Sequence, residues 1–152
     1  RYNVVTGVQT CALPIFGHLI EAVLAAAPGT RAARDATRGG IASALNEMAE
    51  ASKVGIVLSE PDLPLRDEVR GLCEILGLDP LYLANEGTLV LFTPADQAGA
   101  ALAAMQSLPE GRAARIIGRA VADHAGQVRM TTLFGGSRIV DMLIGEQLPR
   151  IC

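Results

Sequence analysis

The spacing of apolar residues switches repeatedly along the chain between a helical and a two-residue period, and this switching restricts the fold to helices packed on a sheet. Phe16, Leu19, Ile20, Val23 and Leu24 predict an amphipathic helix over residues 16–27, ended by Pro28-Gly29. A link over residues 30–36 leads to a second helix over 37–52. That helix opens with Gly39-Gly40, carries Ile41, Leu45, Met48 and Ala49 on one face, and turns Asn46, Glu47 and Glu50 to others. Residues 54–59 alternate and are β-branched, as a strand requires. After Pro61 and Pro64, the stripe Leu65, Val69, Leu72, Cys73 and Leu76 marks a third helix stopped by Gly77, with Cys73 as a buried core thiol.

Residues 81–83 and 88–92 are apolar and flank Ala84-Asn85-Glu86-Gly87, which predicts two extended segments around a tight turn. Thr93-Pro94-Ala95-Asp96 has the chemistry of a helix start, and the helix is expected to run to about Leu108. Residues 114–121, 128–133 and 138–142 then read as three strands, the last two joined through Gly135-Gly136, and a tail follows. This order mixes crossovers with hairpins. The expected fold class is therefore α/β, in the α+β sense, with a mixed β-sheet packed with helices.

At 152 residues, with 50% hydrophobic and 19% charged, the chain has the material for one domain with an adequate core, and disorder is excluded. Its 13 Lys+Arg against 16 Asp+Glu give no basic excess, so no nucleic-acid partner is expected. The longest apolar stretches, 20–28 and 88–94, fall short of the roughly 20 residues that cross a bilayer, so no membrane partner is expected either. Cys11, Cys73 and Cys152 form no Cys-x-x-Cys pair, and only His18 and His124 could join them. Neither a zinc site nor a disulfide framework is supported, and a reducing cytoplasm is the expected location.

The segment Val5 to Ile15, VTGVQTCALPI, matches residue for residue the in-frame translation of a sequencing-adapter oligonucleotide. The expectation is that residues 1–15 are an artefact fused to a truncated reading frame, that Cys11 carries no biological meaning, and that the natural protein extends upstream of Phe16. A β-strand over residues 4–8 with a turn over 10–14 is the alternative.

Three places can carry chemistry. Arg34-Asp35-Ala36-Thr37-Arg38-Gly39-Gly40 stands at the mouth of a helix, where glycines permit close approach and unpaired N–H groups favour an anion such as phosphate. It matches neither the Walker A nor the Rossmann spacing, and an ordinary capped helix is the alternative. Asn85-Glu86-Gly87 offers a carboxylate in a constrained turn that can act as a general base, or is simply a solvated turn. Pro149-Arg150-Ile151-Cys152 ends the chain on a thiol. Eight residues reach at most roughly 26 Å, enough to enter a cleft or meet another protein. An unperturbed thiol, with a pKa of about 8.5, needs activation at neutral pH. An incidental cysteine on a frayed end is the alternative.

Together, RDATRGGIASALNEMAEAS, LGLDPLYLANEG, GGSRIVDMLIGEQLPRIC and the terminal cysteine resemble the C-terminal half of the HypE family, the carbamoyl dehydratases of nickel-iron hydrogenase maturation. The resemblance covers residues 16–152 and extends to the superfamily of aminoimidazole ribonucleotide synthetase and selenophosphate synthetase. It implies a domain like the C-terminal domain of the former, preceded in the family by a nucleotide-binding domain expected to be missing here. It also implies a reaction. The carbamoyltransferase HypF loads the C-terminal thiol, here Cys152, with a carbamoyl group. The carboxamide oxygen is phosphorylated from ATP, and loss of phosphate leaves protein-bound thiocyanate. Cyanide then passes to iron on a HypC–HypD scaffold complex.

Both amide protons must leave to form the nitrile, so a base beside the thiocarboxamide is required. By match to the family's Asn-Glu-Gly motif, Glu86 is the candidate base, with Asn85 and Gly87 shaping the turn. Asp35, Thr37, Arg38, Gly39 and Gly40 would face the nucleotide or the tail, and Pro149, Arg150 and Ile151 would orient the tail. ATP and Mg2+ are expected to be held mainly by the missing domain, which would also supply the principal homodimer interface, and no metal site is expected in the fragment. The fragment alone is therefore expected to be inactive. Two other readings stay open: a different ATP-dependent synthetase of the superfamily acting on a small diffusible substrate, against which Cys152 argues, and a non-catalytic module whose tail docks on a partner.

Overall fold

The computed structural model describes residues 2–8 and 13–142. Alternation and β-branching form the strands β1 (Tyr2–Val8), β2 (Ala32–Ala36), β3 (Gly55–Ser59), β4 (Asn85–Pro94), β5 (Arg115–Val121), β6 (Val128–Thr131) and β7 (Ser137–Val140). They make one sheet in the order β2-β4-β1-β5-β3-β6-β7. β3 and β6 pair in parallel and the other described neighbours are antiparallel, so the sheet is mixed as expected. Among the described residues four helices accompany it: α1 (Leu13–Ala26), α2 (Gly40–Ser52), α3 (Asp67–Leu76) and α4 (Ala98–Gln106).

Because side chains alternate along each strand, the sheet feeds two cores. One gathers Leu45 and Ala49 of α2 against Val4, Ile56, Leu58, Val90 and Ile117. The other packs Leu19 and Val23 of α1 and Ala101 and Met105 of α4 against Val5, Leu89 and Leu91. Val4 and Val5 are fully buried on opposite faces, so β1 contributes to both. α3 ends where Gly77 takes a left-handed conformation (φ 65°), and Cys73 on it is buried.

The structure corrects five local expectations, most of them through contacts between distant segments. Residues 32–36 of the expected link form β2, an edge strand held by β4 from Ala32 opposite Phe92 to Asp35 opposite Leu89. Residues 80–82 form a single 3-10 turn, not an extended segment, because the Asp79 carboxylate accepts the Leu81 N–H at 3.0 Å. Asn85-Glu86-Gly87 consequently opens β4 and joins no hairpin. Thr93-Pro94 remains in β4, paired with Asn3 and Tyr2, so α4 begins at Ala98 in place of the expected cap. Finally, Asn46, assigned to a polar face, is buried. Residues 143–152, Cys152 among them, lie outside the described residues.

Candidate functional site

The turn Thr37–Gly39 connects β2 to α2 through two successive left-handed glycines, Gly39 (φ 65°) and Gly40 (φ 63°). A Cβ on Gly40 would stand 2.3 Å from the Leu81 carbonyl oxygen and 2.7 Å from that of Leu83. Only glycine lets the first turn of α2 rest on the chain that runs into β4. Among the described residues no side chain caps this helix end, so its first N–H groups and the helix dipole give a positive local potential.

The Asn-Glu-Gly motif is brought to the same place by strand pairing. Asp35 stands opposite Leu89 but Ala36 stands opposite Asn85, so residues 86–88 bulge out of the β2–β4 ladder. Asn85 Oδ1 accepts the Gly87 N–H at 2.8 Å, which fixes the bulge and presents Glu86 outward. Glu86 is exposed and makes no hydrogen bond or ion pair with any described residue, leaving its carboxylate open to an incoming proton donor. Asp35 at the end of β2 and Arg38 on the adjoining turn are exposed with Thr37 between them, while Arg34 pairs with Glu47. One sheet end therefore joins the anion-favouring loop, Asp35 to Gly40, to Asn85 and Glu86. Beside it lies a cleft of about 360 Å³, lined among others by Ile41, Leu65, Val69, Leu81, Leu83 and Asn85.

The third expected element, Pro149, Arg150, Ile151 and Cys152, lies outside the described residues. Among the described residues no three His, Cys, Asp or Glu side chains converge as a metal site requires.

Sequence reasoning missed a group next to this site. Tyr82 Oη donates to the Asp141 carbonyl at 3.0 Å, and the Arg138 guanidinium meets the Asp79 carboxylate at 2.6 Å. Burial, and secondarily the Asp79 charge, push the Tyr82 hydroxyl above its ordinary pKa of 10.0, which keeps it a donor. The Asp79-Pro80 step was the only local signal, since it marks a 3-10 start; the partners are nearly sixty residues away and carry no periodicity.

These elements define the class. The chain belongs to the AIR synthase related proteins, whose C-terminal domain profile matches residues 15–131. Within that class it is 71% identical over 136 residues to the carbamoyl dehydratase HypE of Rhodobacter capsulatus, an alignment covering 90% of this chain and 40% of that protein. The chain thus spans well under half the length of this curated relative. It superposes on a crystal structure of the hydrogenase maturation protein HypE in complex with ATP, with a TM-score of 0.86 at 36% identity, over 99% of this chain and 52% of that one. It also superposes on a crystal structure of a HypE–HypF complex, with a TM-score of 0.84 at 33% identity, over 93% of this chain and 53% of the other.

Proposed function

We propose that this chain is the C-terminal part of an ATP-dependent carbamoyl dehydratase that makes the cyanide ligands of a nickel-iron hydrogenase. The observation that carries the proposal is its identity to the Rhodobacter capsulatus protein of that name. The pairing of Ala36 with Asn85 supports the division of labour among residues. Cys152 takes the carbamoyl group from a HypF-type carbamoyltransferase through its sulfur. The carboxamide oxygen leaves as phosphate and the nitrogen loses both protons, giving S–C≡N. Glu86, outward on its bulge, accepts a proton from that nitrogen. Asn85 and Gly87 hold the bulge, and the N–H groups at Gly39 and Gly40 offset charge developing on phosphate. Asp35, Thr37 and Arg38 border the phosphate path, and Pro149, Arg150 and Ile151 steer the thiol.

In this reading Mg2+ and most of the ATP contacts are supplied by residues upstream in the complete protein. That upstream part also supplies the homodimer interface, and the 152-residue chain alone does not complete the dehydration. The product passes to iron on a HypC–HypD scaffold in the cytoplasm. Residues 1–15 are read as an adapter-derived artefact, and adapter-independent sequencing across the junction at Phe16 tests that reading.

The deciding experiment restores the upstream part and follows the C-terminal peptide by mass spectrometry with the carbamoyltransferase, carbamoyl phosphate and ATP. The parent gains a carbamoyl group and then loses water from it; Glu86→Gln stops at the carbamoyl form; Cys152→Ala gains nothing. Undiminished thiocyanate in Glu86→Gln removes Glu86 as the base. An unmodified Cys152 in the parent removes the dehydratase reading and leaves a docking module.

A further inference from the structure

The cleft beside Asn85 has walls that the chain fixes by its own contacts. Gly40 lets the start of α2 rest on the Leu81 and Leu83 carbonyls, and this contact brings Ile41 of α2 and Leu81 together in the lining. A second wall is the segment that enters α3. There the Leu65 N–H donates to the Leu63 carbonyl at 2.8 Å across Pro64, a three-residue turn. Leu63 is buried, and Arg66 follows with an extended backbone (ψ 145°). Asn85 and Thr88 of β4 belong to the same lining. At about 360 Å³ the space stands at the small end of ligand cavities.

Most of the lining is apolar, and its polar side chains share one property: they have hydrogens to donate. Arg66 is exposed and pairs with no described carboxylate. It is the one charged side chain in the described lining, since Asp67 and Glu68, which follow it on α3, do not border the cleft. A guanidinium only donates. Asn85 has its Oδ1 engaged by the Gly87 N–H, which leaves its Nδ2 to offer. Thr88 is 2% exposed, and its hydroxyl makes no hydrogen bond with another described residue. A hydroxyl shut away from bulk water without a partner is costly, and this one borders the cleft, where an acceptor on a ligand would meet it. A cation would find no carboxylate in the described lining, and a wholly apolar ligand would leave the Thr88 hydroxyl unmet.

We propose that this cleft binds a small organic oxyanion, a carboxylate or phosphate monoester on a compact apolar body. Arg66 meets the charge, Thr88 and Asn85 donate to its oxygens, and Ile41, Leu65 and Val69 enclose the body. Because Asn85 also fixes the bulge that presents Glu86, the occupant is joined to the candidate site through one side chain. None of this requires the dehydratase reading, since the donors and the walls are features of the described residues alone.

The test titrates the isotope-labelled 152-residue chain by NMR with phenyl phosphate, benzoate, benzyl alcohol and inorganic phosphate. One of the two aromatic anions is expected to bind about tenfold or more tightly than benzyl alcohol, which has the body without the charge, and than inorganic phosphate, which has the charge without the body. The tighter of the two assigns the ester or the carboxylate. The saturating shifts belong to residues 63–66, 83–85 and 88. Arg66→Gln is expected to bring the preferred anion down to the level of benzyl alcohol, and Thr88→Val to weaken it about fivefold. If Thr88→Val does not fold, Arg66→Gln, at an exposed position, decides alone. Benzyl alcohol or inorganic phosphate binding as tightly as the anions, a preference that survives Arg66→Gln, unchanged binding in a folded Thr88→Val, shifts away from the cleft, or no saturable binding each overturns the proposal. Neither ATP nor a carbamoyl donor is present, so the result stands apart from that of the dehydratase assay.

Discussion

The two faces of the sheet are built by different means. Under α1 and α4, Ala27, Ala98 and Ala101 are buried and let the helices approach closely, and most of what is asked there is apolar fit, apart from the close approach of Gly111 to the Met105 carbonyl and of Gly29 to Pro94. Gly99 on α4 has nothing within 4 Å of a prospective Cβ. Under α2, the packing is equally apolar at Leu45 and Ile117, but it is interrupted by contacts that only one residue type can make: Gly40 against two carbonyls, and Asn46 between the Ala42 and Val140 carbonyls. The first face is a support that tolerates substitution of like for like. The second spends some of its freedom on holding the loop, the bulge and the strand end in register.

Three substitutions and one titration test that contrast. Gly40→Ala is expected to cost roughly 2–3 kcal/mol in chemical denaturation, since a left-handed alanine is strained and its Cβ strikes backbone. A cost below about 0.5 kcal/mol, the ordinary surface range, would break the comparison. Asn46→Ala follows at about 1–2 kcal/mol, because it strands a buried carbonyl at the end of β7. Faster amide exchange confined to β7 and its neighbour β6 would sharpen the point. On the opposite face the sign reverses: Gly99→Ala, exposed in the first turn of α4, is expected to stabilise by about 0.5 kcal/mol.

The smallest effect is a pH dependence. The Tyr82 hydroxyl has its pKa raised in the folded state, so the native form holds that proton more tightly than the unfolded chain does. Its contribution is intact below the unfolded value of about 10 and declines as the pH rises through the folded one. Urea midpoints measured across that window should fall in the parent and fall less in Tyr82→Phe.

Local chemistry was a good guide wherever an element is decided by its own residues. The helices α1, α2 and α3, the left-handed stop at Gly77 and the burial of Cys73 were legible for that reason, although Val69, Leu72 and Leu76 of the expected α3 stripe are exposed. It failed wherever a partner decides. Ala32–Ala36, with Arg34 and Asp35 in its middle, lacks the composition of a strand and becomes one only because β4 offers an edge. Thr93-Pro94 is a sound helix start that β1 overrides by pairing. The candidate site shows both cases. Its loop and its Asn-Glu-Gly motif were each visible as sequence, but that they meet is a consequence of Ala36 standing opposite Asn85, a register that no local pattern specifies. Asn46 was misassigned because an amide on a helix looks solvent-facing until the carbonyl it serves is known.

The interior position of β1 also governs when the molecule can assemble. β1 is the first strand of the chain, yet its hydrogen bonds run to β4, where Tyr2 meets Pro94, and to β5, where Tyr2 meets Ala120. Pairings between such remote segments close large loops and are slow relative to helices and hairpins. β1 therefore keeps an unpaired edge until both β4 and β5 are in place, whereas α1 and α2 can form earlier from their own residues. The β6–β7 hairpin, in contrast, needs only its own turn to begin. The sheet is thus closed by its most remote pairings, and the interval before they form is when its open edges most need protection from other chains.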